Sequence, residues 1–496
     1  LVAANKPSLK SGAQEMTTII DHTKANPPPP SLYEGRKQIY PKLAHGKFRM
    51  VKWIVMAVTL GIYYVLPWIR WPRGEGIPDQ AVLADFEGEK FYFFWFEIWP
   101  QELYYLAGLL IMATLGLFLV TSLFGRAWCG YTCPQTVWTD LYIWVERAFE
   151  GDRAARMRLD AAPWSFNKAW RKFGKHLIWL VIAFWTGGAF ILYWHDAPTV
   201  AKGWFTGDAP LTAYFFAGIL TFTTYFLAGW MREQVCTYMC PWPRIQGALT
   251  DENALNVTYR FDRGEPRAPH RKGESWEGRG DCIDCKQCVQ VCPMGIDIRD
   301  GAQLECIHCA LCIDACDDIM KKVGRPIGLI AYDTDNAVAA RVAGKKPVYK
   351  VLRPRTLLYA TLMIIIGAMV GFGYFNKSSF EVNVLKDRSP PFIRLSDGDI
   401  RNGYTLKLVN KSSTARNVAI EIQGLDGSEL QMIGLETEEN GEVELNMGAH
   451  RVDRFRMLIT RHTEDTAPRA NFTVIVRDTE TGEVEDSSAV FVQGGN

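Results

Sequence analysis

The chain has 496 residues, 48% of them hydrophobic and 22% charged, with 17 Trp and a formal net charge of +1. Such a length holds several domains, and the composition excludes a disordered or collagen-like chain. The balanced charge gives no reason to expect a nucleic-acid partner. The averages hide unlike parts. Every Trp precedes residue 277, all 12 Cys lie between Cys129 and Cys316, and residues 376–496 carry −6 while the rest carries +7.

Residues 1–46 are polar, with prolines at 27–30, and read as a flexible tail without a cleavable signal peptide. Five runs then have the length and apolarity to cross a bilayer: Trp53–Ile69, Leu103–Phe124, Leu177–Trp194, Leu211–Met231 and Thr356–Asn376. Lys and Arg crowd the tail and the 125–175 loop, whereas only Lys202 lies between the third and fourth runs. By the positive-inside rule the N-terminus, the 125–175 loop and residues 232–355 face the cytoplasm, and the last 120 residues or so face outward. Cysteine usage agrees, because every thiol falls on or near the reducing side. The chain then divides into a tail (1–46), a four-helix membrane domain (47–250), a cytoplasmic insert (251–350), a fifth transmembrane helix (351–376) and an exported domain (377–496).

Two of these runs lead into matching motifs. Cys129-Gly-Tyr-Thr-Cys133-Pro134 follows the second, and Cys236-Thr-Tyr-Met-Cys240-Pro241 follows the fourth. This predicts an internal repeat of two helical hairpins with a fifth helix appended. A separation of four places both sulfurs of a pair on one side of a helical turn, with each proline stopping or kinking the helix beyond. Four thiols at one depth suit a soft ion such as Cu(I), with Met239 as an extra thioether, or a dithiol–disulfide cycle. Four small side chains packed in a bundle are the plainer alternative. His176 and His195 stand at opposite ends of the third run, which is a poor arrangement for haem.

The insert carries Cys282-x2-Cys285-x2-Cys288-x3-Cys292-Pro293 and, with thirteen residues between Cys292 and Cys306, Cys306-x2-Cys309-x2-Cys312-x3-Cys316. This is the spacing of a two-cluster ferredoxin, in which the fourth cysteine of each run ligates the other run's cluster. Cys282, Cys285, Cys288 and Cys316 are expected to hold one [4Fe–4S] cluster, and Cys306, Cys309, Cys312 and Cys292 the other. Paired zinc sites give no reason for a repeated x2, x2, x3 pattern. His308 is expected to donate a hydrogen bond near the second cluster, and Asp317, standing where the first run has Pro293, to loosen the second turn.

After residue 379 the apolar period becomes two. Seven segments read as strands of an immunoglobulin-like sandwich: 380–385, 404–409, 418–422, 443–447, 454–459, 472–476 and 489–492. Its His450 and His462 are isolated and read as non-ligating. The expected architecture is therefore multi-domain: a five-helix membrane bundle, a ferredoxin-like insert with two [4Fe–4S] clusters and a C-terminal all-β sandwich.

The paired Cys-x3-Cys-Pro motifs, the double ferredoxin run and the sandwich together resemble the FixG/CcoG-type (RdxA-type) cytochrome c oxidase accessory proteins over nearly the whole chain. The resemblance implies a bacterial inner-membrane protein that reduces Cu(II) to Cu(I) for the copper centre of a cbb3-type oxidase. Cys129, Cys133, Cys236 and Cys240 would be its catalytic, copper-binding residues. The expected partners are membrane lipid, copper ions, a cytoplasmic electron donor, oxidase assembly factors or copper chaperones, and a second copy of the chain as a homodimer. Two rival readings remain: a quinol-linked electron-transfer subunit, and a non-catalytic copper-binding assembly factor.

Overall fold

The computed structural model describes residues 38–74, 77–86, 88–271, 273–412, 414–435, 442–462 and 468–493. Most of the tail expected at 1–46 thus lies outside the described residues. Its last part is not free. Lys42 donates its backbone N–H to Gln290 at 2.8 Å, Leu43 donates to Asp152 at 3.1 Å, and Ala44 is buried.

Five helices are long and apolar enough to cross a membrane: Lys47–Trp68, Pro100–Phe124, Phe166–Ile191, Leu211–Met231 and Pro354–Phe375. The third begins eleven residues before the apolar run. Ser165 caps it by accepting the Lys168 N–H, and its first turns carry Lys168, Arg171, Lys172 and Lys175. Hydropathy marks only the part that meets lipid, so this polar extension escaped the sequence reading.

The third and fourth spans pack along each other, while the second packs along the fifth rather than the first. The fifth helix is therefore not an appendage. Small residues allow this: a Cβ on Gly108 would stand 2.5 Å from a methyl of Val370. Between the first two spans the chain instead forms a three-stranded sheet, Val82–Asp85, Lys90–Phe93 and Phe96–Ile98.

An amphipathic helix, Pro134–Glu150, runs back beside the third span and gathers its charges. Glu146 lies 2.6 Å from Arg156, 3.0 Å from Arg232 and 3.4 Å from Lys175, all buried. Burial alone would raise its pKa, but Arg232, Arg156 and Lys175 hold it at about 2. Asp140 on the same helix takes Arg49 at 2.9 Å. These ion pairs join the first and third spans to the chain beyond the fourth.

The ferredoxin insert is closed by a two-stranded sheet, Asn256–Tyr259 against Ile330–Asp333. Asp314 on its helix Leu311–Lys322 accepts the backbone N–H groups of Phe48 and Arg49, at 3.2 and 2.7 Å. A carboxylate there satisfies the orphan donors of the first span and complements its dipole.

The C-terminal part is a sandwich of two antiparallel sheets. One runs Ser428–Met432, Arg451–Arg461, Ile400–Asn410, Phe380–Lys386, with Ile393–Arg394 paired to Ile400–Asn410. The other runs Val443–Met447, Arg416–Gln423, Arg469–Asp478, Val484–Val492. All seven expected strands are present. Ser428–Met432 and Ile393–Arg394 were missed, being a short edge and a two-residue pairing. Inward residues such as Phe380, Tyr404, Leu406, Ile420 and Val474 are fully buried. His462 pairs with Asp399 at 2.6 Å and His450 faces Glu97 at 3.2 Å.

Sandwich and insert meet opposite ends of the second span. Lys411 reaches buried Glu102 before Leu103 at 2.8 Å, whereas the chain just after Phe124 is bound by His308. Twenty-two helical residues, about 33 Å, separate them.

Candidate functional site

The cysteines are all free thiols and converge on three cavities. Cys282, Cys285, Cys288 and Cys316 line the first, beside Tyr259 and Arg299. Cys292, Cys306, Cys309 and Cys312 line the second, beside His308, and Cys288 also reaches it. The last cysteine of each run thus stands with the three clasp cysteines of the other.

The two clasp loops repeat one backbone device. Asp284 and Lys286 have φ of 54° and 53°, and His308 and Ala310, in the corresponding positions, 53° and 60°. Left-handed residues with a Cβ cost roughly 1–3 kcal/mol each and persist where surroundings demand them. Here they curl each loop around its cavity. Arg299 ties the first loop down through Asp284 at 2.5 Å and Asp297 at 2.6 Å.

His308 accepts at Nδ1 from the Arg126 backbone N–H at 3.0 Å. Burial, and then the Arg126 charge, keep it neutral, with its pKa down at about 3. The ring proton is then on Nε2, which leaves His308 a donor at that nitrogen. One expectation needs correction: Asp317 does not loosen its turn. It lies within the helix Leu311–Lys322 and accepts the Gly328 N–H at 2.7 Å.

The third cavity is lined by Cys129, Cys133, Cys236 and Cys240 together. The two motifs leave the helical path at the same step, contrary to a simple shared helix face. Cys129 lies in the short helix Ala127–Tyr131, and Cys133 is extended, at φ −57° and ψ 126°. Cys236 lies in the π-turn Val235–Met239, and Cys240 is extended, at φ −82° and ψ 123°. The residue before a proline avoids the α region. Pro134 then opens a helix at its first position rather than stopping one, and Pro241 precedes the helix Trp242–Leu249. Met239 is 56% exposed and does not line the cavity.

Ile307 joins the third cavity to the second by lining both. Contact is close. A Cβ on Gly130 would stand 2.7 Å from the Ile307 carbonyl and 3.0 Å from the Cys309 backbone. Arg126, almost wholly buried, donates to the carbonyls of Leu304, Cys306 (3.2 Å) and Pro243 (2.7 Å), tying the insert to both motifs. Gln246, fully buried, accepts from the Cys129 thiol at 3.1 Å. Burial pushes the Cys129 and Cys236 thiols up to about 12.

Sequence reasoning missed the parts played by Arg126, Gly130 and Gln246. Arg126 counted only as positive charge at a membrane face. A glycine between the first motif's Cys129 and Tyr131 was the one available signal for close backbone approach. His176, set aside as a haem ligand, has its Nδ1 2.9 Å from the Tyr225 hydroxyl and its ring against Trp230.

Comparison with known families gives three matches. A 4Fe-4S dicluster domain matches residues 231–335, a 4Fe-4S binding domain matches 106–150, and the "IG-like fold at C-terminal of FixG" matches 370–494. Cysteine-lined cavities, these matches and five apolar helices define an iron–sulfur oxidoreductase of the membrane. Nitrogen fixation protein FixG of Rhizobium meliloti (strain 1021) is 50% identical over 457 residues, 86% of this chain and 87% of its own. Proteins RdxA and RdxB of Cereibacter sphaeroides are each 50% identical, over 80% and 79% of this chain and 84% and 83% of their own. The chain belongs to the FixG family. A crystal structure of a FixG-related protein from Vibrio parahaemolyticus overlaps 24% of this chain and 98% of its own, at 15% identity and a TM-score of 0.21.

Proposed function

We propose that this chain carries single electrons from a cytoplasmic donor to the thiol cavity, and that the oxidant reduced there is Cu(II), yielding Cu(I) for assembly of a cbb3-type oxidase. One observation carries the reading: four thiols from two distant motifs line one cavity whose wall includes Ile307, a residue that also lines the second ferredoxin cavity.

Cys282, Cys285, Cys288 and Cys316 hold one [4Fe–4S] cluster, and Cys292, Cys306, Cys309 and Cys312 the other. Bound there, such clusters supply one-electron steps at low potential. Arg126 fixes the insert against both motifs, Gly130 lets the clasp backbone rest on the short helix, and His308 stays neutral as an acceptor. Sulfur-rich surroundings favour the soft Cu(I) product over harder Cu(II). Cys129, Cys133, Cys236 and Cys240 are the redox-active residues of the cavity. Met239 has no part in it, since its side chain lies outside.

The Lys and Arg distribution supports an inner-membrane protein with the insert in the cytoplasm and residues 377–496 in the periplasm. The attachment of insert and sandwich to opposite ends of one apolar helix supports the same arrangement. In it the sandwich is free to meet assembly factors or copper chaperones.

The test replaces Cys129 and Cys236 with Ser. Reduction of Cu(II) by the pre-reduced full chain should be lost, while the ferredoxin cluster spectra persist. Undiminished Cu(I) formation would place the copper chemistry elsewhere.

A further inference from the structure

Near the thiol cavity lies a roomier one that electron transfer through the ferredoxin insert does not use. It sits at the insert-side ends of the third and fourth spans, between His176 and Trp179 of the third and Trp230 of the fourth, with Trp164 and Glu233 in its walls. A small cavity connects the two. Arg232 and Glu233 line it together with Gln135, Thr136 and Cys236, and those last three also line the thiol cavity.

We propose that this roomier cavity binds a membrane quinol and oxidises it, as a second source of electrons beside the cytoplasmic donor. This rests on the reading that Cu(II) is reduced at the four thiols. One quinol and two Cu(II) give one quinone, two Cu(I) and two protons, the electrons leaving one at a time.

The walls suit a neutral, lipid-borne ring. The cavity lies where the apolar runs of the two spans stop, a depth that a membrane-dissolved molecule reaches. Trp164 and Trp230 are exposed there, and Trp179 is buried beneath them, so a flat ring has aromatic faces to lie against. The cations of the walls are already held by carboxylates. Lys172 pairs with Asp160 at 2.6 Å and Glu150 at 3.0 Å, Lys175 with Glu150 at 2.8 Å, and Arg232 with Glu146 at 3.0 Å. A phosphate or anionic headgroup would have to break these pairs, whereas an uncharged quinol leaves them intact.

His176 supplies the proton chemistry. Its ring lies near-parallel to that of Trp230, with centroids 6.0 Å apart, and the Tyr225 hydroxyl occupies Nδ1 at 2.9 Å. That leaves Nε2 for the ligand. With Nδ1 donating to Tyr225, Nε2 accepts from a quinol hydroxyl; with Tyr225 donating, Nε2 carries the proton and donates to a quinone oxygen. One pair of side chains thus serves both substrate and product. Glu233, 7% exposed, lines this cavity and the small one that reaches Cys236, which places a second proton acceptor on the side facing the thiols.

The full chain in detergent is to be mixed anaerobically with decylubiquinol and Cu(II), with a Cu(I) chelator present and the chain-free reaction subtracted. Quinol oxidation should saturate with quinol concentration and yield two Cu(I) for each quinol consumed. His176→Phe keeps the ring and removes its nitrogens, and Trp230→Ala removes an exposed aromatic face. Each should slow the quinol-dependent rate by about tenfold or more. Cu(II) reduction by the same variants, pre-reduced with dithionite and freed of it, should stay within about twofold of wild type, and retained cluster spectra show that they have folded. A wild-type chain that leaves quinol unoxidised, yet reduces Cu(II) when pre-reduced, overturns this site and leaves the proposed function standing. Unchanged quinol rates in the folded variants overturn it too. Failure of both electron sources removes Cu(II) as the oxidant, and this step with it.

Discussion

The two Cys-x-Tyr-x-Cys-Pro motifs are nearly the same in sequence and unlike in surroundings. In the first, the Tyr131 hydroxyl donates to the Cys309 carbonyl at 3.3 Å, and Gly130 lies under the clasp backbone. In the second, Thr237 takes the glycine's place and donates to the Glu233 carbonyl at 2.9 Å, while Tyr238 is 74% exposed. Cys240 is the one exposed thiol of the twelve. One motif holds the iron–sulfur insert and the other opens outward. A duplicated motif therefore makes an asymmetric cavity, packed against the insert at Gly130 and Tyr131 and exposed at Cys240.

That asymmetry can be broken first at its glycine. Gly130→Val should separate the second clasp from the thiol cavity and slow Cu(II) reduction by about tenfold or more, with the iron content kept. Thr237→Val, at the matching position, should leave the rate within about twofold. Anaerobic assays of the two variants side by side would show it, and equal losses would mean the motifs are equivalent.

The charge network beneath the motifs gives a second, smaller test. Glu146→Gln leaves Arg156, Lys175 and Arg232 without their shared carboxylate and should cost about 3–5 kcal/mol of stability, seen as a lowered Tm. The pH dependence has a definite sign. The folded pKa of Glu146, about 2, lies below its ordinary value of 4.5. Its contribution is therefore full above that ordinary value and lost as pH falls toward 2, amounting to about 3 kcal/mol. Wild type should lose its advantage over the Gln variant between those limits.

The smallest contrast lies in the tyrosines. Tyr131→Phe removes a part-buried hydrogen bond to the Cys309 carbonyl and should cost about 1 kcal/mol. Tyr238→Phe should change stability by less than about 0.5 kcal/mol. Thermal unfolding in one detergent would compare them.

Much of this was legible because cysteine spacing and apolar length are local signals. The eight-cysteine run announces cross-paired cavities, since x2, x2, x3 spacing leaves each loop one ligand short. Period-two alternation yields the sandwich strands in the same way. What escaped depends on approach between distant segments. The second span chooses the fifth as neighbour through Gly108 and Val370, 262 positions apart, and no periodicity encodes that choice. Arg126 bridges three segments by carbonyl contacts that leave no mark on composition. The conformation at Cys133 and Cys240 was misjudged because a spacing of four suggests a helix face, whereas the following proline governs the backbone.

The most direct test of electron flow through the insert into the thiol cavity is stopped-flow mixing of pre-reduced full chain with Cu(II) under anaerobic conditions. Cluster reoxidation and Cu(I) capture by a chelator are followed together. The two should proceed at one rate, with one Cu(I) for each electron lost by the clusters, and both should fail in Cys129→Ser/Cys236→Ser. Cu(I) appearing while the clusters stay reduced, or equal traces in the variant, would contradict it.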